Sequence, residues 1–454
     1  MISAVLAATL LSSSFVALTA CDNRPVLKVA NWADYIDEGG DGSIDENNQA
    51  LYEDFEEWYK ETTGKEIRVE YITAQDNETL YNQMETGDKY DLICPSEYMI
   101  MKLAAEDKLE ELPDSFYDTS VETNYYAKNV SPFIKDTFDS NEINGKAWSK
   151  YAAGYMWGTT GFVFNPELVD ENDVKTWNVF TNQKYNKKIT AKDNVRDSYF
   201  AGLGMYYEND IKALKTKLDN GEIDLTEYQK QLSELMNDTS ETTMTAVQEL
   251  LIQMKKNILG FETDSGKDDM ISGRITINYQ WSGDAVYAIN EAEDESGVLL
   301  GYCIPDTVSN LWFDGWVMPK GANVEAATAF INFLSMPKNA VRNMYYIGYT
   351  SVISGGDSPL IYEYADWCYG AEDEDTDTVP YSLRYFFTEE DENASQDYVL
   401  QVPVGEERRQ VFAGYPPRDV ITRSAIMQCF GDDQNKRISR MWTNIRCFEW
   451  EDLF

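Results

Sequence analysis

Apolar and polar positions along this chain fall into blocks whose period changes in a regular order. Val26 to Ala30 is a short apolar run closed by Asn31, which predicts a buried strand. Between Asn48 and Thr63, Leu51, Phe55, Trp58 and Tyr59 recur on one face of a helix, and Gly64 ends it. Ile67 to Tyr71 alternates as a second strand, Asn77 to Met84 reads as a second helix, and Tyr90 to Cys94 as a third strand. That order is a βαβαβ unit, the building block of a parallel sheet with right-handed crossovers. Further on, Trp157-Gly158-Thr159-Thr160-Gly161-Phe162-Val163-Phe164-Asn165 is a strand whose small residues suit a passage into a second lobe. Ile189 to Asp197 predicts a strand followed by a polar loop, and Ile275 to Gln280 another strand. Leu311 to Pro319 then recrosses between lobes, and Val324 to Leu334 is a helix with Ala326, Ala327, Phe330, Ile331 and Leu334 inward. Residues 208–258 carry an amphipathic helical pattern, expected on the outside of the second lobe. Glu363 to Glu407 reads as an acidic loop, and Asp419 to Arg446 returns to helical spacing.

The expected fold class is therefore α/β with two lobes, each a mainly parallel sheet flanked by helices, joined by two or three crossing strands. Residues 26–157 plus 313–350 would form lobe 1, and 158–312 plus 351–454 lobe 2. A chain of 454 residues is long enough for two such cores.

Ligands of open α/β sheets bind beyond the carboxyl ends of the strands. There the chain places Trp32-Ala33-Asp34-Tyr35 after the first strand and Pro95-Ser96-Glu97-Tyr98 after the third, on the same edge. Trp281 and Leu311-Trp312-Phe313-Asp314 repeat the pairing of aromatic ring and acid. Ring faces attract cations and carboxylates supply charge-assisted bonds, so the pattern suits an organic cation. The competing reading makes the rings core packing and the acids solvated turn residues. Asp34, Glu97, Asp197 and Asp314 also keep open a glycoside hydrolase working through paired carboxylates.

Composition narrows these choices. The 79 acids against 38 bases give a formal net charge of −41, which repels nucleic acid and anionic lipid and attracts cations. The chain has no histidine, which removes the Ser-His-Asp triad and HExxH zinc chemistry. Gly260 to Lys267 has the wrong glycine spacing for a phosphate loop, and Asp37 with Asp41 lacks the companions of a calcium loop. Neither metal nor cofactor is expected. Met1 to Ala20 is a short apolar stretch ending Leu18-Thr19-Ala20-Cys21, and it resembles the lipobox of bacterial lipoproteins, although no Lys or Arg precedes it. That resemblance implies a signal peptide over residues 1–20 and lipidation of Cys21. Cys94, Cys303, Cys368, Cys429 and Cys447 are widely spaced without a CxxC, and a disulfide among the last four stays open.

Taken in order, Asn31-Trp32-Ala33-Asp34-Tyr35, Tyr90 to Tyr98, Trp157-Gly158-Thr159-Thr160, Trp281-Ser282-Gly283, Leu311-Trp312-Phe313-Asp314, Ala329 to Leu334 with Pro337, and Ile347-Gly348-Tyr349-Thr350 resemble the spermidine/putrescine-binding proteins of bacterial ABC importers. The resemblance runs roughly from position 26 to 351 and implies a periplasmic-binding-protein type II fold without enzymatic activity. It also implies delivery of a polyamine to a membrane permease, a monomer, and a lipid-anchored position in the periplasm or on the outer face of the cytoplasmic membrane. Trp32, Tyr35, Trp281, Trp312 and Tyr349 would line the cleft, Ser96 and Tyr98 would offer hydroxyls, and Asp197 and Asp314 would meet ammonium groups. Asp34 and Thr263 are further polar candidates. Asn194 stands where the spermidine binder carries a carboxylate, and Glu97 would be placed to restore the lost charge.

Overall fold

The computed structural model describes residues 22–447 except 41, 46, 373–374, 390–394 and 396, so the expected signal peptide and Cys21 lie outside the described residues. β1 (Val26–Trp32), α1 (Leu51–Thr63), β2 (Arg68–Ala74), α2 (Asn77–Thr86) and β3 (Leu92–Ile93) form the unit that the periodicity predicts. β1 lies between β2 and β3 and runs parallel to both. α1 buries Leu51, Phe55 and Tyr59, and Gly64 at φ 72° turns the chain out of the helix. Only a residue without a Cβ enters that left-handed region cheaply. α2 starts at Asp76, whose side chain accepts from the Thr79 amide at 2.6 Å.

Two strands tie the molecule together. Ala152–Phe164 is buried along all 13 residues, and Ser309–Val317 is buried along all nine. They pair antiparallel from Ala152–Val317 to Thr159–Leu311. Beyond that point the long strand pairs with Ile277–Trp281, which lies parallel to Ile189–Lys192; that strand in turn lies parallel to Gly260–Glu262. The sheet therefore runs β2, β1, β3, Ser309–Val317, Ala152–Phe164, Ile277–Trp281, Ile189–Lys192, Gly260–Glu262. Parallel strands occupy each end and antiparallel crossings the middle. Thr350–Ser351 adds a third short pairing, to Trp157 and Met156. With no water on either face of these strands, only apolar or internally bonded side chains fit, and their sequence is accordingly continuous in apolar and small residues.

Helix Val324–Leu334 buries the five residues expected of it. Residues 208–258 form three helices, Glu208–Asp219, Leu225–Met236 and Glu241–Asn257. The acidic stretch after 360 departs from expectation, since it is not a loop. Leu360–Tyr369 is a helix, and Thr378–Ser382 pairs antiparallel with Val399–Pro403. Tyr381, Leu400 and Val402 turn inward, which is what anchors this hairpin despite its surrounding charge. Phe386 stacks on Trp157, so the segment covers the crossing strands. All five cysteines in the described residues are free, and the disulfide left open by the sequence does not form among them.

Candidate functional site

Asp314 is the focus of one wall. The bulge between Asp314 and Gly315 lets this acid face Ser96, with which it forms an isolated antiparallel bridge. The Trp32 indole N–H, at the carboxyl end of β1, donates to Asp314 Oδ2 at 3.2 Å. The Ser96 hydroxyl also faces this carboxyl, and the Tyr35 hydroxyl lies beside it, outside full hydrogen-bond geometry. Burial pushes Asp314 up to about 6 against the pull of these three donors. Ser96 is itself fixed by Asn77, whose side chain accepts from the Ser96 amide and donates to its hydroxyl, each at 3.0 Å. Tyr35 packs edge-on against Tyr349 at 5.1 Å, and Tyr349 packs in turn against Trp312 at 5.8 Å.

The glycines of the two aromatic motifs explain why these rings can approach the backbone. A Cβ on Gly283 would lie 2.2 Å from the Tyr349 ring, and one on Gly158 would lie 2.7 Å from Trp312. Trp312 is further held by donation from its indole N–H to the Thr159 carbonyl at 3.1 Å.

The other wall is built around strands Ile189–Lys192 and Ile277–Trp281. Asp197 is buried, faces Trp281, and is pushed up to about 7, mainly by desolvation. Lys192 ends its strand with Nζ 4.2 Å over the Trp281 ring. Its ammonium donates to the Thr263 carbonyl at 2.6 Å and lies 3.6 Å from Glu262 and 3.7 Å from Asp284. Asp284 also pairs with Lys267 at 3.6 Å and faces Tyr349. Arg196 bridges two rings, its guanidinium 4.2 Å over Tyr98 and 3.9 Å over Phe430. Tyr349 feels the charges of both Asp284 and Asp314, and Glu97 those of Asp314 and Arg196. The two clusters thus adjoin one another through Tyr349, Gly283 and Asp284.

The slot gathers Trp32, Tyr35, Ser96, Asp197, Trp281, Trp312, Asp314 and Tyr349. Five other candidates sit differently. Glu97 and Tyr98 open helix Glu97–Ala105 and are not on a loop. Glu97 accepts from the Phe313 amide at 3.0 Å, and desolvation pushes it up to about 8, so it is largely neutral at pH 7 and restores no charge. The Tyr98 hydroxyl donates to Glu78 and its ring carries Arg196. Asn194 is the N-cap of helix Val195–Tyr206; its amide oxygen accepts from Arg196 and Asp197 amides at 2.8 and 3.2 Å and so has little capacity left for a ligand. Thr263 is exposed and presents only its carbonyl to the site, through Lys192. Asp34 is exposed on the rim at φ 52°. Sequence reasoning missed Lys192, Glu262, Lys267 and Asp284. The available signal was Asp284 in the same motif as Trp281, and a lysine at the carboxyl end of a strand otherwise apolar.

A family model described as bacterial extracellular solute-binding protein matches residues 50–359. The spermidine/putrescine-binding periplasmic protein of Escherichia coli is 26% identical over 349 residues, 76% of this chain and 82% of that protein. The putrescine-binding periplasmic protein SpuD of Pseudomonas aeruginosa is 27% identical over 343 residues, 74% of this chain and 80% of that one. Among solved structures, a spermidine/putrescine ABC transporter substrate-binding protein from Streptococcus pneumoniae superposes with a TM-score of 0.58 at 23% identity, over 93% of this chain and 98% of its own. The TpPotD lipoprotein of Treponema pallidum gives 0.60 at 17% identity, over 93% and 99%. These two share the two-lobed fold with this chain.

Proposed function

The chain belongs to the bacterial extracellular solute-binding proteins, and from that premise we propose that it captures putrescine or spermidine between its lobes and delivers it to the permease of an ABC importer. The observation that carries the reading is Asp314. It is a buried carboxyl oriented by the Trp32 indole and flanked by Ser96, with the rings of Tyr35, Trp312 and Tyr349 packed together beside it. A polyamine is an oily chain with fixed positive ends. It needs ring faces along its length and a carboxylate at a terminus, because a desolvated ammonium without a partner costs several kcal/mol. The names of the relatives support the same ligand class.

In this reading residues 26–157 plus 313–350 and residues 158–312 plus 351–454 act as the two lobes, and binding closes them by flexing the crossing strands Ala152–Phe164 and Ser309–Val317. The protein works as a monomer, catalyses no reaction, and is held to the outer face of the cytoplasmic membrane through a lipid on Cys21. No helix among the described residues is long and apolar enough to cross a membrane. Calorimetry against putrescine, spermidine and a panel of oligosaccharides tests the assignment. Heat from the amines and none from the sugars is expected; heat from the sugars alone would turn the reading toward carbohydrate.

A further inference from the structure

The second-lobe wall of the slot already contains a cation. Lys192 is 1% exposed in its side chain, and its ammonium sits on the face of Trp281. Burial of a lysine to this degree requires that its charge be met from several sides. It is met: the Thr263 carbonyl at 2.6 Å, Glu262 at 3.6 Å and Asp284 at 3.7 Å surround it. Its charge also bears on Asp197, as does that of Arg196. Asp284 has Lys267 as a second partner at 3.6 Å, and Glu262 is engaged by the Gly266 amide at 2.9 Å and the Asn278 side chain at 3.0 Å. A ring face with acids around it is what a ligand ammonium would seek, and on this side the protein's own ammonium occupies it.

We propose that Lys192 is a built-in cation that fills one ammonium position of the slot, so that Asp314 alone pairs with a charged end of the ligand and the preferred ligand is a short amine rather than spermidine. Asn194, locked as a helix cap, adds no charge to the second-lobe wall. The far end of a bound chain therefore meets Glu262 and Asp284, which already pair with lysines, and Asp197, on which the charges of Lys192 and Arg196 already bear. A third ammonium, as in spermidine, brings a repulsive contact with Lys192, and Asp197, toward which Lys192 and Arg196 already lean, offers it little in exchange.

The inference rests on the polyamine reading, and its test separates the two. The unmodified protein is titrated by calorimetry with putrescine, with 4-aminobutanol, in which a hydroxyl replaces one ammonium, and with spermidine. A second carboxylate pairing would be worth more than about tenfold in Kd, the lower end for a charge-assisted bond. The expected result is 4-aminobutanol within tenfold of putrescine, and spermidine weaker than putrescine. A loss beyond tenfold for the alcohol, or spermidine binding tighter than putrescine, overturns the role of Lys192 while leaving polyamine capture intact. Absence of heat with all three ligands overturns the function on which it rests. Lys192→Met, which keeps the length of the side chain and removes its charge, should raise the spermidine-to-putrescine affinity ratio at least about tenfold; an unchanged ratio in the folded variant also overturns the proposal. Should that variant not fold, the comparison of the three ligands on the unmodified protein stands by itself.

Discussion

Replacing Asp314 by Asn isolates the charge at the centre of the slot with almost no change of shape. Asp314 is 6% exposed, and its Oδ2 accepts from the Trp32 indole at 3.2 Å. The amide oxygen of Asn can keep that bond, so the wall should hold its geometry. A bound ammonium, however, would lose the carboxylate it pairs with in a buried place. Removing one member of a buried ion pair typically costs 3–5 kcal/mol, which at 1.4 kcal/mol per decade weakens binding by roughly two to three and a half orders of magnitude. The empty protein should move the opposite way. Desolvation raises the Asp314 carboxyl from 3.8 to about 6, so above pH 7 the folded state carries an ionised group it disfavours, by about 3 kcal/mol at 1.36 kcal/mol per pKa unit. Asp314→Asn should therefore melt higher than the unmodified protein in the absence of ligand, while losing amine binding. Thermal unfolding with and without putrescine reads both effects. An unchanged affinity would remove Asp314 from the site. A lower melting temperature for the empty variant would make its role structural and refute the electrostatic account.

Amine affinity should fall on acidification, by about tenfold per unit well below the Asp314 midpoint near pH 6, because protonation removes the pairing charge; calorimetry across pH 5–8 measures it, and a flat profile contradicts it. The empty protein should lose stability from about pH 5 to 8. Glu97 and Asp197 are raised to about 8 and about 7, so the folded state holds protons that the unfolded chain has released, and a rise in melting temperature over that window would show these sites to be misjudged. Glu97→Gln should bind putrescine within about twofold of the unmodified protein at pH 7, since the carboxyl it replaces is already largely neutral; a tenfold loss by calorimetry would place its charge in the slot. Gly283→Ala should destabilise the protein by about 1–3 kcal/mol and weaken binding, because the added methyl falls 2.2 Å from the Tyr349 ring; denaturant unfolding identical to that of the parent would mean the ring has room to move.

Much of the fold could be read from periodicity because the sheet is buried on both faces. β1, α1, β2, α2 and β3 follow their apolar spacing, and the glycine after α1 marks its end. The acidic segment reads as a loop because Glu363, Asp366, Glu372, Asp375 and Asp377 are exposed and dominate the local pattern. Its inward positions, among them Ala365, Tyr381, Leu383, Phe386, Leu400 and Val402, are scattered between these acids and follow no single period. Trp32 and Trp281, at strand carboxyl ends, were legible because topology alone brings those ends to one edge, and Asp314, inside its strand at a bulge, was legible through the aromatic residues beside it. Asn194 carried a helix-cap signal, an Asn just before a helix, that its placement beside Asp197 obscured. Lys192 gave only the faint signal of a lysine ending an apolar strand, and Glu97 none, since a lysine at a strand end suggests solvent, a glutamate suggests charge, and the depth of burial reverses both.

The central claim is one site formed by distant loops, with the Asp314 carboxylate meeting one end of the ligand. A crystal structure of the putrescine complex tests it most directly. The account predicts one ligand ammonium about 2.7–2.9 Å from the Asp314 carboxylate, with the methylene chain against Trp32, Tyr35 and Tyr349. Density for the ligand outside this slot, or with neither ammonium within bonding reach of Asp314, would contradict it.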